Sequence, residues 1–428
     1  MARIGIFCFP GTGHLNPMTA LARRLEQRGH SVVIFGIADT EARVKAAGVE
    51  FWRIGESDFP PGTIDKLDRR LGELKGLNVF RFTVERVRDT ARMVLRDGPD
   101  AVRLAKVEAI LVDEADFGGS VADYLGLPFI TVACIPPMIP GDRYPPFCFG
   151  WAPGQDLISR LRNRVGVALL MRVAAPIFKV VNDQRVAWGI EPINSAEDFL
   201  SQVSRLTQMP KALEFDFPAF PPSLHYTGPF VDERLRPPME FPWEQLDGRP
   251  LLYASLGTLQ NGSEDIFKTI AAACLGLDAQ LVISLGGGLD RERLGVLPGD
   301  PVVVRFAPQL ELLKRASAVI THGGMNTALE SLQQGLPMVC IPLGNDQPGV
   351  AARVAARGAG LVVPVRKLNP KRLRAAVRAV LEDGKYRRAA MHLQTAIRTV
   401  DGLGQAVEVI ENALNMMASG SSTTQSSH

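Results

Sequence analysis

The amino-acid sequence predicts an α/β protein of two domains, each built on a parallel sheet. Three stretches carry that prediction. Near the N-terminus an apolar run at 4–9 (IGIFCF) leads into Pro10-Gly-Thr-Gly13, a helical stretch at 18–27 with Leu21 and Leu25 on one face, and a second strand at 31–35 (SVVIF). This is a βαβ unit with a glycine-bearing turn. In the C-terminal half, 318–321 (AVIT) reads as a short buried strand, His322-Gly323-Gly324 as a turn and 325–334 as a helix. Between the two lies 233–243 (ERLRPPMEFPW), charged and Pro-rich as interdomain linkers are.

Composition narrows the function classes. A hydrophobic fraction of 46% with 22% charged residues is that of a soluble globular protein. Forty-eight basic against 45 acidic residues leave a net charge of only +3, so nucleic acid is not expected as a partner. Cys8, Cys134, Cys148, Cys274 and Cys340 are odd in number, mostly embedded in apolar runs and free of any CxxC spacing. They read as reduced core residues of a cytoplasmic protein. The chain enters a strand almost at once, which argues against a signal peptide.

The first turn is not GxGxxG, and no acid follows Phe35 directly, so a dinucleotide is disfavoured at this end. What the turn places at the C-terminal edge of the first strand is His14, in His14-Leu-Asn-Pro17. Neutral imidazole, with a pKa near about 6.5, can accept a hydroxyl proton around neutral pH. A further strand at 109–112 (AILV) ends in Asp113-Glu-Ala-Asp116, and Gly118-Gly119 opens a helix to Leu125. After a strand at 128–133, the Pro- and aromatic-rich 135–149 is a loop suited to wall a pocket, with Ile135, Pro136 and Phe147, together with Phe117, as its candidate lining. The stretch 157–188 is apolar yet carries Arg160, Arg162, Arg164, Arg172, Lys179 and Arg185. Its charges and Pro176 make it fall short of a membrane span. It reads either as a buried helix with snorkelling arginines or as a membrane-surface helix, in peripheral contact with the inner face of the membrane.

In the second half, 251–258 (LLYASLGT) is a strand and glycine turn, and 280–284 and 301–304 are further buried strands. The strand, glycine turn and helix start around His322 form a phosphate site by construction. Glycine lets backbone N–H groups approach closely, and the helix N-terminus carries about half a positive charge. Asn326 and Thr327 can add donors there, and Glu330, one turn on, can accept from two adjacent hydroxyls, as on a ribose. A strand at 337–341 ends in Pro342-Leu-Gly-Asn-Asp346-Gln347, which puts an acid and an amide at a neighbouring strand end, where open α/β sheets bind ligands.

The whole span from Phe306 to Gln347 resembles the nucleotide-sugar signature of family 1 glycosyltransferases, the UDP-glycosyltransferases. The matching positions are Ala307-Pro308-Gln309, Thr321-His322, Gly324, Asn326, Thr327, Leu329-Glu330-Ser331, Gly335, Pro337-Met338-Val339 and Asp346-Gln347. The N-terminal strand, Pro/Gly turn and His-x-x-Pro are also similar to that family. Leu310-Glu-Leu-Leu-Lys-Arg-Ala316 and Asn345-Asp-Gln-Pro-Gly-Val-Ala-Ala-Arg353 look most like bacterial carotenoid (zeaxanthin) glucosyltransferases. The resemblance implies the GT-B arrangement, two facing Rossmann-like domains with the active site in the cleft. It implies His14 as general base, an aspartate binding the far nitrogen of that histidine, Gln309 and its backbone on base and ribose, and Glu330 on ribose. His322, Gly324, Asn326 and Thr327 would hold the diphosphate, with Gly13, Gly323, Ser255, Gly257 and Thr258 nearby, and Asn345, Asp346 and Gln347 would face the sugar. Phe306 stands where plant members have a tryptophan stacked on uracil, and Met325 replaces another tryptophan, which weakens the sugar-side match. Asp113, straight off its strand, is preferred over Asp116 as the orienting acid.

The expected domains are 1–230 for the acceptor, a linker at 231–248, 249–400 for the nucleotide sugar, a helix at 401–417 returning to the first domain, and a disordered tail at 418–428. The expected activity is inverting transfer of glucose from a UDP-sugar to a hydroxyl of a small lipophilic or aromatic acceptor (carotenoid, terpenoid, sterol or phenolic), by a cytoplasmic monomer. No cofactor is expected, since the UDP-sugar is a co-substrate. No DxD occurs in the chain, so no metal is expected either. The competing readings are a nucleotide-sugar epimerase and a non-catalytic nucleotide-sugar or lipid-binding protein.

Overall fold

The computed structural model describes residues 1–74, 77–139, 141–217, 219–258 and 262–424. The first half contains β1 (Arg3–Phe7), α1 (Thr12–Gln27), β2 (Ser31–Gly36), α2 (Ala38–Ala46), β3 (Glu50–Arg53), α3 (Thr63–Glu73) and α4 (Leu77–Leu104). It continues with β4 (Ala109–Asp113), α5 (Gly118–Leu125), β5 (Phe129–Ala133), α6 (Leu157–Ala187), α7 (Ala196–Phe199), β6 (Arg205–Thr207) and β7 (Leu224–Tyr226). The second half begins with β8 (Leu251–Ser255), α8 (Glu264–Cys274), β9 (Gln280–Ser284), α9 (Arg291–Leu294), β10 (Val302–Val304), α10 (Gln309–Arg315) and β11 (Ala316–Thr321). It ends with α11 (Met325–Gln333), β12 (Met338–Cys340), α12 (Gln347–Ala356), β13 (Gly360–Val362), α13 (Pro370–Glu382), α14 (Gly384–Arg398) and α15 (Gly402–Thr424).

All pairings are parallel, in two sheets ordered β3-β2-β1-β4-β5-β6-β7 and β10-β9-β8-β11-β12-β13. The strands read as apolar runs because helices cover both faces; β4, β8 and β9 are buried at every position. In each sheet the order reverses direction once, between β1 and β4 and between β8 and β11. Chains leaving two such strands diverge to opposite faces and open a crevice at their C-terminal ends. Phe7 pairs with Val112 in the first sheet and Ser255 with Thr321 in the second, so His14, Asp113, Gly257 and His322 all follow directly from the two switch points.

Three expectations need correction. Helix α1 starts at Thr12, not Met18, so His14 lies in its first turn. Pro17 inside the helix removes one N–H, and the Gly13 carbonyl that this would have engaged accepts instead from Asn326 Nδ2 at 2.9 Å. The tail does not begin at Ala418, since α15 runs on to Thr424; residues 425–428 lie outside the described residues. Finally, α6 is one helix of 31 residues that is, by length and composition alone, apolar enough to cross a membrane. It packs along α4, with Ile177 and Val181 in a cluster shared with that helix, and Gly166 lies against Trp151 and Pro146, while Leu157, Ile158, Leu161 and Val165 are exposed. The three cations of its first turns have partners: Arg160 and Arg164 share Asp142, and Arg162 binds the Ala152 carbonyl and lies over Trp151, while Arg172 is exposed.

Helix α15 packs on the first sheet's core, where Leu403, Ala406, Val407 and Ile410 join Ile4, Met18 and Leu21. The 231–248 segment is not a loose tether. Phe241 is 8% exposed among second-domain core residues, and Trp243 lies under the Arg315 guanidinium.

Candidate active site

His14 and Asp113 meet at the first switch point. Asp113 Oδ2 is 2.7 Å from His14 Nδ1, and the Asp113 side chain is fully buried while that of His14 is 15% exposed. Asp113 Oδ1 accepts from the Ala115 N–H at 3.1 Å. The carboxylate is therefore fixed on both oxygens, and the imidazole keeps Nε2 for a substrate. Burial alone would lower the His14 pKa, but the Asp113 charge and hydrogen bond, helped by Asp346 and Asp116, raise it above the ordinary value. Asp116 does something else. Its Oδ1 accepts from the N–H groups of Phe117 (2.6 Å) and Gly118 (3.1 Å), capping the start of α5, and burial with the Asp113 charge pushes its pKa to about 7.

Cys8 and Cys134 complete the buried setting. Cys8 Sγ is 3.6 Å from Asp113 Oδ2, and burial holds both thiols well above the ordinary range. His14, Asp113 and Cys134 offer ligand atoms within 4.8 Å of one another. A cation there would require the Cys134 proton to leave and the His14–Asp113 bond to break, so the group fits hydrogen bonding better than ligation.

Across the cleft, α11 points its N-terminus at this pair. Asn326, in its first turn, bridges the domains, donating to the Gly13 carbonyl and accepting from Gln208 Nε2 at 3.0 Å. His322 is 9% exposed, and burial lowers its pKa to about 4 against the opposing effect of a Ser255 backbone hydrogen bond. It is a neutral hydrogen-bonding group at pH 7, not a cation. The ring is wedged between two glycines: a Cβ on Gly324 would sit 2.4 Å from Nε2, and one on Gly257, whose φ is +74°, would sit 2.7 Å away. Thr327 is 7% exposed in the same turn, Gly257 N–H donates to Ser255 Oγ at 3.2 Å, and Thr258 lies exposed beside it.

Glu330 is 2% exposed, and both of its oxygens are engaged, one by Arg236 and one by Gln309 Nε2, each at 2.5 Å. Gln309 in turn accepts from the Tyr253 hydroxyl at 3.0 Å. Burial raises the Glu330 pKa, and the Arg236 charge and the Gln309 bond oppose it. Phe306, just after β10, is 43% exposed, with Gly287 against its ring and the Arg305 guanidinium 5.6 Å from its centre, and Ala307 and Pro308 lead into α10. Asn345 takes a left-handed φ of +53°, which Asn tolerates, and so turns the chain into α12. Asp346 lies close enough to His14 for each to shift the other, and burial pushes its pKa to about 6. Gln347 Oε1 accepts from the N–H groups of Leu343 and Gly344, at 2.8 and 3.1 Å, so that oxygen braces the turn. Gly323, at φ +85°, approaches the Gln347 carbonyl.

Two expected contacts are absent from the cleft wall. Met325 is 4% exposed and packs in the second-domain core, and Phe117 is 5% exposed and packs on Phe199 in the first. Met325 opens α11 and Phe117 precedes α5, and the neighbours that enclose them belong to a core rather than to the cleft. Ile135 is half-buried, Pro136 buried, and the Phe147 carbonyl abuts Gly349 beside Asp346. The loop carrying them is pinned by a pair the sequence did not single out: Glu114 accepts from the Met138 N–H at 2.8 Å and contacts Arg205 at 3.4 Å. Burial pushes Glu114 to about 7.

Two parallel sheets facing across a cleft, with a His–Asp pair on one wall and a glycine-rich helix start on the other, define a GT-B glycosyltransferase. The chain belongs to the family UDPGT, UDP-glucoronosyl and UDP-glucosyl transferase, whose model matches residues 158–417. It is 28% identical over 417 residues to zeaxanthin glucosyltransferase of Pantoea ananas, covering 97% of this chain and 96% of that one. It is 29% identical over 427 residues to 4'-demethylrebeccamycin synthase of Lentzea aerocolonigenes, covering 96% of this chain and 99% of that one. Among solved structures, the glycotransferase of kitacinnamycin superposes with a TM-score of 0.74 at 24% identity, over 96% of this chain and 98% of that chain, a likeness of fold.

Proposed function

We propose that this protein is an inverting, metal-independent glucosyltransferase that moves glucose from UDP-glucose to a hydroxyl of a small lipophilic or aromatic acceptor in the cytoplasm. The observation that supports it most is the His14–Asp113 pair lying opposite the α11 N-terminus, with the two walls already joined through Asn326 and Gly13. His14 Nε2 takes the acceptor proton, and Asp113 holds Nδ1–H and balances the imidazolium that forms. The acceptor oxygen bonds to the anomeric carbon as the bond to UDP breaks on the opposite face. Charge developing on the departing diphosphate meets the α11 amides, Asn326, Thr327 and neutral His322, groups fixed before the reaction begins. The test is product structure. With UDP-glucose and a panel of hydroxylated carotenoids, terpenoids and phenols, the product should be a β-glucoside, formed equally well after EDTA treatment. An α-glucoside, or an altered donor sugar with no acceptor consumed, would replace this reading with retention or epimerisation.

The donor half makes a separate prediction. Glu330 is positioned by Arg236 and Gln309 to accept from ribose hydroxyls, and a carboxylate has about four lone-pair sites, so both neighbours can stay while the diol binds. A deoxyribose donor lacks one hydroxyl and leaves part of that capacity unmet. UDP-glucose should therefore exceed dTDP-glucose in kcat/KM by about ten-fold, the worth of one such bond. Equal values would remove Glu330 from this role.

A further inference from the structure

Helix α4 carries Arg86, which is only 7% exposed. One arm of its guanidinium, Nη1, binds Asp68 Oδ1 at 2.6 Å. The other, Nη2, is buried and has no hydrogen-bond partner among the described residues. The guanidinium carbon lies 5.7 Å from the centre of the Phe9 ring, and that ring in turn meets the His14 imidazole edge-on at 5.3 Å, with 62° between planes. Arginine, phenyl ring and imidazole thus follow one another within the first domain. Phe9 is half-buried and forms the step between them.

We propose that Arg86 is a polar subsite of the acceptor pocket, selecting acceptors with a neutral oxygen, a carbonyl or a second hydroxyl, beyond the hydroxyl that is glucosylated. The proposal rests on the glucosyltransferase reading above and names part of its substrate. A buried guanidinium N–H without a partner costs stability, and a ligand oxygen would restore the bond that water or protein otherwise supplies. The sign of the charge narrows the ligand further. Asp68 already balances Arg86, so a carboxylate would bring an uncompensated charge into a buried place, whereas a neutral oxygen would not. A purely hydrocarbon acceptor would cover Nη2 and leave it dry. Sites built to hydrogen-bond a substrate group discriminate against analogues that lack it for this reason. Phe9, between the two polar ends, suits an aromatic or alicyclic ring joining the two oxygens.

The experiment compares two phenols of matched shape, 4,4′-dihydroxybiphenyl and 4-phenylphenol. Their dissociation constants are measured by calorimetry with UDP present, and kcat/KM with UDP-glucose. Wild-type protein should prefer the diol by about ten-fold, more than the factor of two that two identical hydroxyls give by counting. In Arg86→Met that preference should shrink to about the counting factor. Arg86→Lys keeps the ion pair with Asp68 but not the guanidinium fork, and it should lose the preference while its melting temperature stays near wild type. An unchanged preference in both variants, or no binding of either phenol, overturns the proposal. Arg86-dependent binding without any glucoside formed would leave the subsite standing and overturn the glucosyltransferase reading instead.

Discussion

Replacing His14 by alanine should lower kcat by about 10²- to 10⁴-fold, the usual worth of a positioned general base. That is about 3–5 kcal/mol of barrier. The expectation follows from location as much as from residue type. His14 is held in the first turn of α1 at the end of β1, its Nδ1 committed to Asp113 at 2.7 Å. None of the groups that bracket the expected diphosphate site, Asn326, Thr327, Gly257 and His322, depends on the imidazole for its position. UDP should therefore bind the variant nearly as tightly as wild type, and calorimetry with UDP alone checks this. A loss confined to kcat, with UDP affinity retained, separates the loss of a base from the loss of a fold. Wild-type turnover on an alcohol acceptor would exclude His14 as the base.

Much of this site was legible because both halves of it hang on strand ends. A histidine just after the first strand and an aspartate at the end of the fourth are read directly from apolar runs that stop at polar residues. The pairing of β1 with β4 then brings them together. The same holds for Ser255 and Thr321 in the second sheet. What was not legible is whatever depends on a side chain from far along the chain. Arg236 reaches Glu330 and Gln208 reaches Asn326 across 94 and 118 positions, and nothing periodic marks either residue. Arg86 reads as one more charge on a helix, and only its depth and its neighbour Phe9 distinguish it. The sequence also hides the first turns of α1, since Pro17 resembles a helix boundary and the donor to the freed Gly13 carbonyl, Asn326, comes from the other domain. Met325, expected among the donor contacts, and Phe117, expected at the acceptor, are instead core residues, because burial depth beside a glycine turn has no periodic mark in the sequence.

The second large effect should come from Asp113→Asn, with a cost on the order of 10²- to 10⁴-fold in kcat, comparable to other His–Asp pairs. Asparagine keeps the shape but can turn its NH₂ towards His14 Nδ1. That stabilises the tautomer with its proton on Nε2, the one that cannot accept from a substrate. The pH profile adds a signature that misfolding would not produce. In the proposed mechanism His14 acts when neutral, and its pKa lies above the ordinary value because the Asp113 charge and hydrogen bond outweigh burial. Wild-type kcat/KM should therefore fall on the acid side with an apparent pKa above about 6.5. Removing the Asp113 charge leaves the burial effect, which acts in the opposite direction, so the acid limb of Asp113→Asn should move to lower pH while the plateau drops. Asp116→Asn is the control. Its Oδ1 caps the N–H groups of Phe117 and Gly118, a task an amide oxygen performs equally well, so the plateau should stay near wild type. An acid limb unmoved in Asp113→Asn, or a larger loss in Asp116→Asn, would transfer the orienting role to Asp116.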